Sequence, residues 1–268
     1  MTRPETIDGH ELATIDHLAI EFERQWSFEQ PISGIFDFVA GQRLPSNLAL
    51  GLTLELAIVD LERRWQNWGK RDFVDAQPAE VEQQLRQLPT HTDYLAAFQA
   101  FQQTLSLDML TELRTCEWKA RLAYGDSPTV PNDMLAYVSN YVDRFSPLIR
   151  VEDPTTASEY TVNLLGSMSI GRQAQGEPEP PQLHIEQARR KLICVPGRDA
   201  LVSRNQLRAS IMNRGHCLVE NTSQNRWFSA NGVAIPAASA AIVKLPTRID
   251  LTSIVITILR PSMNTRSN

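Results

Sequence analysis

The period of the apolar residues changes once along this 268-residue chain, near residue 150. That change limits the fold more than any other feature. Before it, apolar side chains recur every three or four positions. Ile15, Leu18, Ala19, Phe22 and Trp26 do so, as do Leu50, Leu54, Ala57, Ile58, Leu61 and Trp65. Such spacing gathers them into one stripe of an α-helix. After it they alternate: Tyr160, Val162 and Leu164, then Leu207, Ala209 and Ile211, then Ala241, Val243 and Leu245, then Ile254, Ile256 and Ile258. Alternation puts apolar side chains on one face of a strand. The fold class expected is α+β multidomain, an all-α N-terminal region followed by an all-β sandwich.

Local signals divide the chain further. Helices are predicted from about Ile15 to Pro31, over Ile35–Val39, from Asn47 to Gly69, and at about 78–88, 92–105, 108–124 and 131–144. Gly125-Asp126-Ser127-Pro128 and Ser146-Pro147 break the last two. The expected domains are a helical-repeat-like region at 1–150, a polar linker at 151–158, a sandwich at 159–260 and a disordered tail at 261–268. A weak internal repeat runs through the helices: a long helix with an aromatic and an arginine near its end, a turn, then a short helix. Its copies start at Glu21, Leu61 and Glu117. Stacked helix pairs bury such aromatics against one another. Three prolines within Gln173–Gln182 make that stretch a surface loop, since proline cannot donate to a sheet ladder.

Charge follows the same division. Residues 1–150 carry 13 basic and 22 acidic side chains, a balance of −9, and residues 151–268 carry 13 and 9, a balance of +4. An acidic helical region does not suit nucleic acid, whereas a mildly basic β-region suits an anionic ligand. No run of about 18 apolar residues exists, so no membrane span is expected. The polar N-terminus lacks the apolar core of a signal peptide. Cys116, Cys194 and Cys217 are odd in number and widely spaced, as reduced thiols in a cytoplasm would be. The five histidines (His10, His17, His91, His184 and His216) have no metal-ligand spacing. His216 and Cys217 are neighbours on a predicted strand and so point to opposite faces, which excludes a catalytic dyad. No Gly-x-Ser-x-Gly and no phosphate-cradling glycine loop occurs. No enzyme activity, cofactor or metal is expected.

Three short motifs carry a ligand signal. Gly171-Arg172 follows one alternating run, Ser203-Arg204-Asn205-Gln206 opens another, and Ser223-Gln224-Asn225 follows a third, ahead of Asn231-Gly232. In this order they resemble the forkhead-associated (FHA) domain, a phosphothreonine-binding β-sandwich. The resemblance implies Arg172 and Arg204 as guanidinium groups beside the phosphate, Ser203 as a hydroxyl donor to it, and Asn225 as the amide that holds the peptide backbone. Gln224 takes the place of the family's usual threonine. Gln206 stands where the family carries a histidine bracing the serine loop, and Asn225-Arg226 replaces Asn-Gly. The segment 174–190 is inserted between the first two motifs. A competing placement on Gly197-Arg198 leaves no room for a strand before Ser203. Residues 18–145, with Tyr124-Gly125-Asp126-Ser127-Pro128 and Met134-Leu135-Ala136-Tyr137, resemble a helical segment beside the kinase domain of some bacterial FHA-linked Ser/Thr kinases. The kinase motifs themselves, His-Arg-Asp and Asp-Phe-Gly, are absent.

These features imply a non-catalytic cytoplasmic adaptor. The sandwich would dock on a phosphothreonine protein or a Ser/Thr kinase, and the helical region on a second protein. The alternative is an assembly subunit whose degenerate FHA domain binds protein without phosphate.

Overall fold

The computed structural model describes residues 9–73, 75–153, 158–186 and 189–260. Seven helices come first among them: α1 (Gly9–Gln25), α2 (Ser33–Gly41), α3 (Ser46–Gly69), α4 (Pro78–Arg86), α5 (His91–Ala100), α6 (Leu107–Tyr124) and α7 (Asn132–Phe145). Each overlaps a predicted helix, although α1 starts well before Ile15 and ends before Pro31, and α5 stops short of residue 105. The chain divides into two compact units, one of residues 1–67 and 88–120, the other of residues 68–87 and 121–268.

The first unit buries the stripes that the sequence marks. Ile15, Ala19 and Phe22 of α1, and Leu54, Ala57, Leu61 and Trp65 of α3, are all buried. Phe36 of α2 meets Phe98 of α5 edge to face at 5.3 Å and stacks on Phe101 at 4.3 Å. One carboxylate organises the polar part of this core. Asp60, 2% exposed, accepts hydrogen bonds from Trp26 Nε1 (2.6 Å) and Tyr94 Oη (2.6 Å) and an ion pair from Arg64 Nε (2.9 Å). Arg64 in turn donates to the carbonyls of Phe28 and Gln30 and so fixes the α1–α2 turn. Burial and the adjacent Asp60 carboxylate push the Tyr94 phenol well above its ordinary value.

The second unit is built on twelve strands among the described residues: β1 (Leu148–Asp153), β2 (Ser158–Asn163), β3 (Ser167–Arg172), β4 (Gln182–Glu186), β5 (Arg189–Val195), β6 (Leu207–Asn213), β7 (His216–Asn221), β8 (Phe228–Ala230), β9 (Val233–Ile235), β10 (Ala240–Lys244), β11 (Thr247–Leu251) and β12 (Ile254–Leu259). They form two six-stranded sheets, ordered β2-β1-β12-β11-β8-β9 and β10-β7-β6-β3-β5-β4. The pairing is antiparallel except for β3 with β5. Ile170, Leu192, Leu207, Ala209 and Val219 of one sheet pack with Ile149, Ile249, Ile256 and Ile258 of the other in one buried core. The alternation noted in the sequence is thus an inward face. Asn231 (φ 50°) and Gly232 (φ 81°) turn β8 into β9 with both residues left-handed, the geometry for which Asn-Gly is suited.

The boundaries differ from those expected in three places. First, β1 takes Leu148–Asp153, which the sequence divides between the helical region and the linker. It pairs with both β2 and β12, and Ile149 and Val151 point inward at 0% and 3% exposure. The charged residues around those two apolar side chains hide the pattern. Second, the segment 174–190 contains a strand of its own, β4, paired with β5. Third, residues 68–87, the end of α3 with α4, and residues 121–147, which include α7, are part of the sandwich unit. Trp68 Nε1 donates to Met212 O (2.7 Å), and Asn213 Nδ2 to Trp68 O (3.3 Å) and Arg71 O (3.0 Å). Residues 154–157 of the expected linker and the expected tail at 261–268 lie outside the described residues. No described helix is long and apolar enough to cross a membrane.

Candidate functional site

Three loops meet at one end of the sheet that holds β3, β6 and β7. The first is the end of β3, where Gly171 and Arg172 carry a register shift against β5. The second is residues 203–206, leading into β6. The third is residues 222–226, following β7. Backbone hydrogen bonds pin the second loop to the other two. Arg172 N donates to Ser203 O (3.0 Å), Gln206 N to Ile170 O (2.9 Å) and Thr222 N to Gln206 O (3.1 Å). The approach at Gly171 is so close that a Cβ there would lie 2.2 Å from Arg204 O. Glycine is required by that contact, which explains the Gly of the Gly-Arg pair.

Side chains brace the same loops from below. Gln206, 2% exposed, accepts from Ser203 N through Oε1 (3.0 Å) and faces Asn221 Oδ1 with Nε2 (3.4 Å). It does the loop-bracing expected at this position. Asn221, also 2% exposed, accepts from Ser223 N (3.1 Å) and donates to Arg226 O (2.7 Å) and Ile235 O (3.0 Å). Thr222 Oγ1 donates to Asn205 O (3.0 Å). A buried polar group without a partner is costly, so these filled valences hold the loops in one arrangement.

All five sequence-marked residues line one cleft of about 820 Å³: Arg172, Ser203, Arg204, Gln224 and Asn225. Arg204, Gln224 and Asn225 are exposed. Ser203 Oγ lies 2.9 Å from Ser223 Oγ, so the cleft floor is a pair of hydroxyls. Asn225 N donates to Ser223 Oγ (3.4 Å). Arg172 is arranged differently from the others. It is half-buried, and its guanidinium donates to Gly197 O (2.6 Å). It therefore ties the 196–200 loop to the cleft edge while keeping its charge there. Gly197, from the competing placement Gly197-Arg198, supplies that carbonyl. Ser223 and Asn205 stand inside the sequence motifs without an expected role of their own, and Asn221 lies just before the last motif. The signal for Ser223 is the polar run Thr222-Ser223-Gln224-Asn225, which reads as a loop. His216 and Cys217 do point apart: Cys217 lies in the core, and the His216 ring packs on Phe73 at 5.6 Å.

What the arrangement offers chemically is an anion cradle: two arginines, hydroxyls and a side-chain amide on a rigid frame. It suits a tetrahedral anion that accepts several charge-assisted hydrogen bonds.

Two six-stranded sheets around one core make the C-terminal part of this chain a β-sandwich. Solved structures similar to it include the FHA domain of the CT664 protein from Chlamydia trachomatis, at 13% identity and a TM-score of 0.31, over 42% of this chain and 96% of that one. The N-terminal FHA domain of Rad53p from S. cerevisiae, solved in complex with a phosphothreonine peptide, is 14% identical over 42% of this chain and 93% of its own, with a TM-score of 0.29. The yeast Pml1 splicing factor is 12% identical over 50% and 92%, with a TM-score of 0.34. No protein-family model matches the chain, and no curated protein matches it.

Proposed function

We propose that this protein is a non-catalytic signalling adaptor whose sandwich binds a phosphothreonine segment of another protein, made by a Ser/Thr kinase. The observation that carries this is the convergence of Ser203, Arg204 and Asn225, with Arg172 at the edge, on one cleft held by filled hydrogen bonds. Ser203 and Arg204 meet the phosphate, and Asn225 holds the peptide backbone beside it. Gln224 takes part at the exposed rim. Arg172 adds charge and positions the loop through Gly197. The helical unit binds the second partner, in the cytoplasm.

The test is fluorescence anisotropy with a degenerate phosphothreonine peptide library and its unphosphorylated counterpart. Wild type binds only the phosphorylated form. Ser203→Ala and Arg204→Ala each weaken binding at least tenfold, about 1.4 kcal/mol or more, as expected for losing a charge-assisted bond. Arg172→Ala weakens it less. Equal binding of both libraries would refute the proposal. It would favour the assembly-subunit reading, for which exposed Trp227 (67%) and Val233 (68%) are the supporting observation.

A further inference from the structure

The outer face of the same sheet carries a second polar feature. His184 of β4, Lys191 of β5, Ser169 of β3, Arg208 of β6 and Glu220 of β7 are direct register partners in turn, so they form one row across five strands. Directly paired residues present their side chains on the same face. Two small hydroxyl side chains, Ser167 and Ser169, line the middle of that face, while longer cationic side chains rise on either side. The result is a trough of about 610 Å³. Arg204 and Asn205 line both this trough and the phosphate cleft, so the two are continuous.

The charge of the trough is uneven. Arg189, Arg190, Lys191, Arg204 and Arg208 line it against the carboxylates of Glu177 and Glu186. Lys191 is neutralised by Glu177 at 2.6 and 2.8 Å. Arg190 spends its guanidinium on the carbonyls of Leu165 and Asn163. Arg208 lies 3.6 Å from Glu220, both of them partly exposed. Among the described residues, Arg189 and Arg204 have no ion-pair partner. The unspent charge therefore belongs to exposed arginines on a serine-lined surface. The two carboxylates would repel a continuous polyanion but leave room for one isolated anionic group.

We propose that this trough is a second anion subsite for the same bound segment, so that the preferred ligand is a phosphothreonine flanked by a further phosphate or carboxylate. The inference rests on the phosphothreonine reading of the cleft. The flanking anion crosses from the cleft over Arg204 and Asn205 and pairs with Arg189 and Arg208 above Ser169. A second phosphate brings close to two negative charges and three acceptor oxygens, which the paired N–H groups of an arginine match.

The test is a peptide series around one phosphothreonine in which a phosphoserine, a glutamate or a serine is moved one residue at a time in both directions. Binding is measured by anisotropy to wild type, to the pair R189Q with R208Q, and to Ser169→Asp. Arg189 and Arg208 are exposed and Ser169 is half-buried, and thermal unfolding verifies that the variants fold. At one offset the phosphoserine peptide binds wild type about tenfold more tightly than the serine peptide, and the gain shrinks with added salt. R189Q with R208Q, and separately Ser169→Asp, abolish that gain and leave the serine peptide within about twofold of wild type. The glutamate peptides separate a need for phosphate from a need for negative charge. If the serine peptides bind but no flanking anion adds affinity, or the gain survives in R189Q with R208Q, the second subsite is overturned and the cleft stands. If no peptide shows phosphate-dependent binding, both fall.

Discussion

Replacing Gly171 with alanine tests whether the loop clamp holds the site. The backbone at Gly171 lies outside the left-handed region, so the penalty is steric. The new methyl would sit 2.2 Å from Arg204 O and 2.7 Å from both Arg204 C and Ser203 O, all backbone atoms that cannot rotate away. An ordinary carbon–oxygen contact opens to about 3.3 Å, so strand and loop must part by roughly 1 Å. Two backbone hydrogen bonds span that gap, Arg172 N to Ser203 O at 3.0 Å and Gln206 N to Ile170 O at 2.9 Å. Stretched by that amount, both pass beyond bonding length. Overpacking costs about 1–3 kcal/mol, and each lost bond about 1 kcal/mol more, giving about 3–5 kcal/mol. Urea unfolding, followed by amide exchange in β6 so that the sandwich unit alone is read, should show the midpoint lowered by roughly 1–2.5 M for a slope of about 2–3 kcal/mol per M. Phosphopeptide binding should be lost before the fold is. A midpoint within about 0.3 M of wild type would refute the close-approach argument.

Three further outcomes are expected. Gln206→Ala should cost about 2–3 kcal/mol, because it strands Ser203 N–H and opens a cavity, whereas Gln206→His, which restores an acceptor, should recover much of it in thermal unfolding. Asp60→Ala should cost the helical unit about 3–5 kcal/mol in urea, read by amide exchange in α5, since it leaves the Arg64 charge buried without its partner. His216 faces Asn213 Oδ1 and Asp72 Oδ1 at 3.0 Å each, and burial outweighs the Asp72 carboxylate to hold its pKa below the usual 6.5. The unfolded chain therefore takes up a proton first as pH falls. The stability of the sandwich unit should decline below about pH 6.5 until the folded-state value is passed, and His216→Gln should flatten that dependence in urea midpoints measured between about pH 7.5 and 5.5.

Much of the site is legible in the sequence because its elements are local. A serine and an asparagine in polar runs between alternating strands, and an Asn-Gly turn, are each set by a few neighbouring residues, whereas the glycine at 171 is required by the distant Arg204 backbone. The brace beneath them is less legible. Gln206, Asn221 and Ser223 act through one another across two loops, and Ser203 meets Ser223 twenty residues away. Nothing local announces that Arg172 will spend its guanidinium on Gly197 O. The pairing appears only once β3, β5 and the loop after β5 stand side by side.

The sequence by itself determined the succession of helices and strands, because periods of 3.6 and 2 are properties of a single segment and its one buried face. It also marked Arg172, Ser203, Arg204, Gln224 and Asn225, which the structure brings to one cleft. Tertiary structure alone decided where the sandwich unit begins. Trp68, Arg71 and Phe73 read as part of the helical region, yet they bond and pack against Met212, Asn213 and His216, more than 140 residues on. Tertiary structure also decided that the cationic side chains of β5 and β6 flank a serine-lined trough continuous with the cleft. Both depend on strand order and register, which are set by the sum of long-range contacts and leave no mark on any one stretch of chain.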